Sequence, residues 1–179
     1  HRLDRDTSGC LLLCKKRGVL KEVQAAFRAR SVKKSYSLIV AERWPKKARV
    51  IQRRLLRYVT DWGERRVRVD PQGQLARTDF QIIDTAPKAT LLLATLHTGR
   101  THQIRVHAQH QGHSILGDTK YGMKHTTNSG REIERLCLHA SRLVVPIGKD
   151  RLDVSAPMEQ TMNRIWTRLK REGAEPDST

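Results

Sequence analysis

Two carboxylates stand among two guanidinium groups in the first nine residues, His1-Arg2-Leu3-Asp4-Arg5-Asp6-Thr7-Ser8-Gly9. An acid beside arginine keeps its charge at neutral pH, so such a carboxylate can serve as a nucleophile, a base or a metal ligand. The same residues also spell an ordinary turn, in which Asp6, Thr7 and Ser8 hydrogen-bond local backbone and Gly9 takes a strained dihedral. Both readings can hold at once, with the turn presenting Asp4. A second cluster is Leu96-His97-Thr98-Gly99-Arg100-Thr101-His102-Gln103-Ile104-Arg105-Val106-His107. A glycine turn feeding a helix start suits an anion such as phosphate. On that helix His102, Arg105 and Gln109 share one side. Arg105 can therefore meet a carboxylate from elsewhere in the fold, as a structural ion pair or as part of a site. Tyr36 follows Lys33-Lys34. Its ring can stack on a base while the lysines hold phosphate, or it can be a strand residue at the core edge.

Other chemistries fit less well. Five histidines fall between His97 and His113, but His102 and His107 do not share a helix face, and no carboxylate completes an H-E-x-x-H pattern. No metal site is expected; RNA contacts or hydrogen-bonded packing suit these histidines better. Cys10 and Cys14 are not spaced as a C-x-x-C pair and are expected as buried small residues. No phosphate-binding P-loop, dinucleotide fingerprint or G-x-S-x-G elbow occurs.

The elements that must position these groups read as follows. Gly9 to Lys15 is expected as a buried strand. Leu20, Val23 and Phe27 recur at helical spacing, giving a helix over Gly18 to Arg30. Lys34 to Glu42 returns to period two, and Trp44 to Lys47 is a loop. Alternation around Val67 and Val69 predicts a hairpin through Pro71-Gln72-Gly73 into a strand over Arg77 to Asp84. Ala89 to Leu96 is a strand apolar on both faces. Thr101 is expected to cap a helix that runs to about Gln111, where Gly112 ends it. Gly117 to Arg131 is a polar loop. Leu136 to Ala140 and Leu143 to Ile147 look like paired strands, Val154 to Ala156 like a short one. Met158, Met162, Ile165, Trp166 and Leu169 mark a C-terminal helix, and Glu172 to Thr179 a frayed end. About seven or eight strands and three helices without regular alternation predict an α+β fold with a mixed, mainly antiparallel sheet.

The 179 residues make roughly one domain. Lys plus Arg number 35 against 18 Asp plus Glu, a net charge of +17. Residues 1–70 alone hold 20 Lys/Arg and 7 Asp/Glu, and such a field suits a polyanion better than mere solubility requires. No apolar run approaches a membrane span, no basic amphipathic helix with an aromatic face suggests a membrane surface, and three cysteines make no disulfide framework. A cytoplasmic, strongly basic, soluble domain is expected. The start at His1, with no signal peptide before it, reads as a fragment with upstream sequence removed.

Together these segments resemble the catalytic domain of the RluA-type pseudouridine synthase family. The matching stretches are His1-Arg2-Leu3-Asp4 with Thr7-Ser8-Gly9, Lys33-Lys34-Ser35-Tyr36, Thr98 to His107, Ile115-Leu116-Gly117-Asp118 with Tyr121-Gly122, and Leu136-Cys137-Leu138-His139-Ala140. Residues 31–83, with Gly63-Glu64-Arg65-Arg66-Val67-Arg68-Val69, are most similar to members that act on the ribosomal large subunit. The resemblance implies a pseudouridine synthase fold, residues 1–179 forming the catalytic domain, and isomerisation of specific uridines in 23S ribosomal RNA. It places the catalytic aspartate at Asp4, a base-stacking tyrosine at Tyr36, the arginine paired with the aspartate at Arg105, and at Arg2 an arginine that helps extrude the base. It implies no cofactor, no metal, no membrane, no DNA partner and a monomer. The family's upstream lysine-proline-glycine segment and an S4-like RNA-binding domain are absent from this sequence, in keeping with a fragment. A noncatalytic RNA-binding module using the same basic face is the rival reading, and a metal-dependent nuclease a third.

Overall fold

A computed structural model describes residues 1–122, 133 and 135–171. Its strands and helices follow in the order β1 (Ser8–Gly9), α1 (Arg17–Arg28), β2 (Lys33–Ala41), β3 (Val50–Val59), β4 (Arg65–Val69), β5 (Gln74–Ala86), β6 (Ala89–Leu96), α2 (Gln103–His110), β7 (Leu138–Ile147), β8 (Asp150–Ser155) and α3 (Gln160–Arg171). All eight strands join one sheet in the order β1-β7-β2-β6-β5-β3-β4, with β8 also on β7. Among the described residues, β1 and β7 are the one pair that runs parallel. The fold is α+β with a mixed, mainly antiparallel sheet, as the patterning predicts.

The apolar runs decide which strands lie centrally. Leu38, Ile39 and Val40 of β2 and Leu92 of β6 are fully buried, as strands covered on both faces require. With Trp44, Phe80, Ile104, Ile115, Met162 and Trp166 they form the main core. A second cluster lies under α1, where Val23 and Ala26 meet Val32, Leu143 and Val145. A third joins Leu55, Val67 and Ala76 to Val106 of α2. Each helix thus buries one apolar stripe against the sheet.

Several boundaries differ from expectation. Gly9 to Lys15 is not a buried strand: pairing stops at Gly9. β8 takes over the same edge of β7 from Arg142 onward, leaving no ladder for residues 10–14 to join. Cys10, Leu12 and Cys14 instead lean on the α1 cluster, so these two cysteines are only partly buried, while Leu13 is 79% exposed. The patterning does not mark β3, and β5 and β8 are longer than predicted. The hairpin predicted through Pro71-Gln72-Gly73 does not form: β4 and β5 each pair antiparallel with β3, β4 along Leu55–Val59 and β5 along Val50–Leu55, and not with each other. Residues 138–147 form one strand rather than a pair; the expected break is a bulge opposite Ser35 and Tyr36. The predicted polar loop is a turn as far as Gly122; the rest of it, and the expected frayed end from Glu172, lie outside the described residues.

Candidate active site

Three neighbouring strands bring the acidic N-terminal segment to the tyrosine. In β1 Gly9 sits opposite Ala140 of β7, and Ala140 sits opposite Tyr36 of β2. Gly9 has φ +108°, and a Cβ there would run into the Ala140 carbonyl, so only glycine lets the segment lie this close. Before it the chain turns, with the Thr7 amide donating to the Asp4 carbonyl at 3.0 Å. Tyr36 faces small residues on both ladders, Ala94 and Ala140, which leaves room beside its ring.

A network behind β1 fixes this turn. Arg135 is paired with Glu159 and donates to the Ser8 hydroxyl at 2.6 Å. Ser8 in turn meets His139 Nδ1 at 2.8 Å. The other ring nitrogen of His139 faces the Ala156 carbonyl at 3.2 Å, which makes Nδ1 the acceptor of the Ser8 proton.

Helix α2 supplies the opposite wall. Arg105 donates from Nη1 to Asp4 Oδ2 at 3.5 Å. Its fork is closed much more tightly on Asp118, with Nε to Oδ2 at 2.8 Å and Nη2 to Oδ1 at 2.7 Å. Burial works against both charges. The hydrogen bonds and the attraction between them outweigh it, raising the Arg105 pKa and lowering that of Asp118. The amides of Lys120 and Tyr121 also donate to Asp118, and the Arg105 guanidinium lies over the Tyr121 ring.

The helix start departs from the expected capping. Thr101 does not cap it. His102 occupies the cap position with φ 52° and no side-chain capping bond. The turn is held instead by buried Gln103, whose Oε1 accepts from the Arg100 amide and the Thr98 hydroxyl while its Nε2 donates to the Arg77 carbonyl and Thr78. The left-handed backbone at a non-glycine residue turns the His102 ring inward. Nδ1 meets the Tyr121 hydroxyl at 2.6 Å, and Nε2 lies 4.0 Å from Asp4 Oδ2. Burial lowers the His102 pKa against the pull of Asp4. The Tyr121 hydroxyl also accepts from the Val67 amide, so one phenol ties the edge strand β4 to α2.

Asp4, Arg2, Tyr36 and Arg105 all line one cavity of about 800 Å³, with Lys34 and His102. Tyr36 is buried, and burial first, then the Asp4 carboxylate, push its phenol up to about 12. Burial also lowers the Lys34 pKa. Arg2 is exposed and has no ion-pair partner among the described residues. Both Arg105 Nη1 and His102 Nε2 face the same Asp4 oxygen, Oδ2; Oδ1 has no protein partner among the described residues. Among the described residues Asp6 pairs with Arg5 alone, on the surface. Asp118, His102 and Tyr121 belong to this arrangement although no role was assigned to them; all three lie within matching stretches, and His102 also shares a helix side with Arg105. Among the described residues no three His, Cys, Asp or Glu side chains come together as a metal would need, and none of the helices there is long and apolar enough to cross a membrane.

Known proteins are similar to this chain in sequence and in fold. The family model described as RNA pseudouridylate synthase matches residues 1–110. The chain is 40% identical over 176 residues to ribosomal large subunit pseudouridine synthase C of Vibrio cholerae, covering 95% of this chain and 54% of that protein. It is 42% identical over 174 residues to the protein of the same name from Haemophilus influenzae, with 95% and 54% covered. The Escherichia coli protein of that name is 38% identical over 176 residues, with 95% and 55% covered. The chain thus spans about half the length of the curated relatives it matches. Among solved structures, human RNA pseudouridylate synthase domain containing 4 superposes with a TM-score of 0.79 at 26% identity, covering 94% of this chain and 74% of that one. Human RNA pseudouridylate synthase domain containing 1 superposes at 0.73 and 23% identity, over 100% and 81%, a likeness of fold. By sequence over more than half its length, this chain belongs to the RNA pseudouridylate synthase family.

Proposed function

We propose that residues 1–179 are the catalytic domain of a cytoplasmic pseudouridine synthase that isomerises specific uridines of large-subunit ribosomal RNA, with Asp4 as the catalytic carboxylate and no cofactor. The observation that carries this reading is the split environment of Asp4. Its Oδ2 faces Arg105 and His102, and its Oδ1 is left to the cavity. A carboxylate oriented from one side and open on the other is suited to nucleophilic or base chemistry on a bound nucleotide. The names of the relatives support the RNA substrate.

The reaction is an isomerisation. The bond from uracil N1 to ribose C1′ breaks, the base turns, and C5 bonds to C1′. C5 gives up its proton and N1 gains one, so nothing is oxidised and no group enters. The base must first leave its stack, which costs a few kcal/mol; Arg2 at the cavity wall offsets this by occupying the vacated space. Tyr36 stacks on the extruded uracil, and its neutral hydroxyl relays the C5 proton, taking it up as its own O–H proton passes to the Asp4 carboxylate. Arg105, anchored by Asp118, aims the Asp4 carboxylate. His102 acts as a positioning residue, its Nε2–H directed at Oδ2 while Nδ1 accepts from Tyr121.

Pseudouridine mapping of large-subunit ribosomal RNA from cells with and without the gene tests the reading. Loss of pseudouridine at discrete positions is the expected result. An unchanged map overturns it.

A further inference from the structure

The β3–β4 hairpin extends beyond the core at the end of the sheet. Its base is anchored: Leu55 and Val67 are buried against Val106, and the Val67 amide is held by Tyr121. Its far end is unlike the rest of the surface. Val59 and Trp62 are 63% and 73% exposed, and Trp62 has no hydrogen-bond or ring partner among the described residues. The turn that presents it is nonetheless well tied. The Thr60 amide donates to the Glu64 carbonyl, the Gly63 amide to the Thr60 carbonyl, and the Glu64 amide to the Thr60 hydroxyl, at 2.9, 2.9 and 3.0 Å. Gly63 supplies the left-handed φ of +83°. This turn holds the tryptophan out in water, where it buries little apolar surface against the folded chain.

Charge on the hairpin points to a polyanion. Six arginines, Arg53, Arg54, Arg57, Arg65, Arg66 and Arg68, stand on it against Asp61 and Glu64 at the tip. Glu64 is committed to Arg66 and Lys120. Arg57 and Arg65 have no carboxylate or other side-chain partner among the described residues. Both line the candidate active-site cavity together with Val59. Register places Val59 opposite Arg65, so the unpaired cations form the rim. Trp62 stands in the turn at the far end of the hairpin, three residues beyond Val59. Unpaired guanidinium groups beside an exposed indole are the combination that grips a single strand, with phosphates on the arginines and a base on the ring.

We propose that the β3–β4 hairpin is an RNA-docking arm, in which Trp62 stacks on an unpaired base near the target nucleotide while Arg57 and Arg65 hold the intervening phosphates. The proposal rests on the RNA-modifying reading above and deepens it, because it makes this hairpin a determinant of which RNA is accepted. A hairpin docking another protein is the competing occupant; in that case RNA leaves the indole exposed.

The three tryptophans make the test selective. Trp44 and Trp166 are 4% and 7% exposed, so fluorescence quenched by acrylamide comes from Trp62. A transcript of large-subunit ribosomal RNA is titrated into the full chain. The arm predicts that bound RNA removes most of the acrylamide-accessible signal. It also predicts that Trp62→Ala weakens binding roughly tenfold, the size expected for one lost stacked base, with Trp62→Phe in between. Arg57→Glu with Arg65→Glu should weaken binding further and flatten its salt dependence. If RNA binds and Trp62 stays as accessible as in the free protein, the arm is wrong and the catalytic reading stands. If the transcript does not bind at all, both fall.

Discussion

Arg105 grips Asp118 far more closely than it approaches Asp4: two bonds of 2.7 and 2.8 Å against one of 3.5 Å. Asp118 is 1% exposed, so the pair is a buried, bidentate clamp that presents its remaining Nη1 to the cavity. The guanidinium is held in place by one acid in order to orient another. Removing one partner of such a pair leaves an uncompensated buried charge. Asp118→Asn is therefore expected to cost about 3–5 kcal/mol in urea unfolding, and to lower turnover because Arg105 is no longer held. An Asp118→Asn chain of unaltered stability contradicts the clamp.

Tyr36 offers a separable prediction. Tyr36→Phe keeps the ring, the burial and the alanine neighbours, so RNA binding should change less than threefold while pseudouridine formation falls by at least a hundredfold. Its pKa is raised to about 12, as is that of Tyr121, burial being the main cause of both. An acid with a raised folded pKa binds its proton more tightly when folded. Its contribution is whole below the unfolded value near 10 and is lost as pH climbs toward 12. Absorbance titration at 295 nm should show Tyr36 and Tyr121 ionising only above pH 11, with one such late group lost in Tyr36→Phe. A late group unaffected by Tyr36→Phe would place Tyr36 in water.

His107 sets the acid limb. Its ring is fully buried beside Thr78, and burial first, then His110 and Arg53, lower its pKa to about 4. Between about pH 6.5 and 4 the unfolded chain binds a proton that the folded one refuses, so stability falls as pH drops through that window. From pH 7 to 5 this group should contribute a loss of about 2 kcal/mol. His107→Gln should shrink the pH dependence by that amount in paired urea unfolding curves. An identical slope in both proteins would contradict it.

Gly9→Ala tests the strand relay that carries Asp4 to Tyr36. The φ of +108° and the Ala140 carbonyl both exclude a Cβ. The substitution should cost more than about 1 kcal/mol and reduce turnover, since Asp4 sits five residues upstream on the displaced segment. Exchange of the Cys10 amide, which donates to Ala140 at 2.9 Å, should accelerate. Unchanged exchange would show the segment held by other contacts.

Much of this site was legible in the residues, for local reasons. The period-two run ending in buried Leu38–Val40 marked β2 and placed Tyr36 at its start, and helical spacing gave Arg105 an inward face. What escaped was long-range. Asp118 lies in a turn, where an acid normally faces water, and only the fold brings it to Arg105. β3 was hidden because Arg53, Arg54 and Arg57 interrupt its alternation around Leu55 and Leu56; the strand owes its place to pairing with β4 and β5. Residues 10–14 misled in the other direction, because an apolar run forms a strand only where a free edge awaits it, and β8 occupies that edge.

The most direct measurement is release of tritium from C5-labelled uridine in large-subunit ribosomal RNA by Asp4→Asn beside the unaltered protein. Asparagine keeps the shape of Asp4 and can still meet its neighbours, but it has no charge with which to react. Release should fall to background, with RNA affinity within about threefold of the original. Turnover near the unaltered rate would contradict the assignment of Asp4 as the catalytic carboxylate.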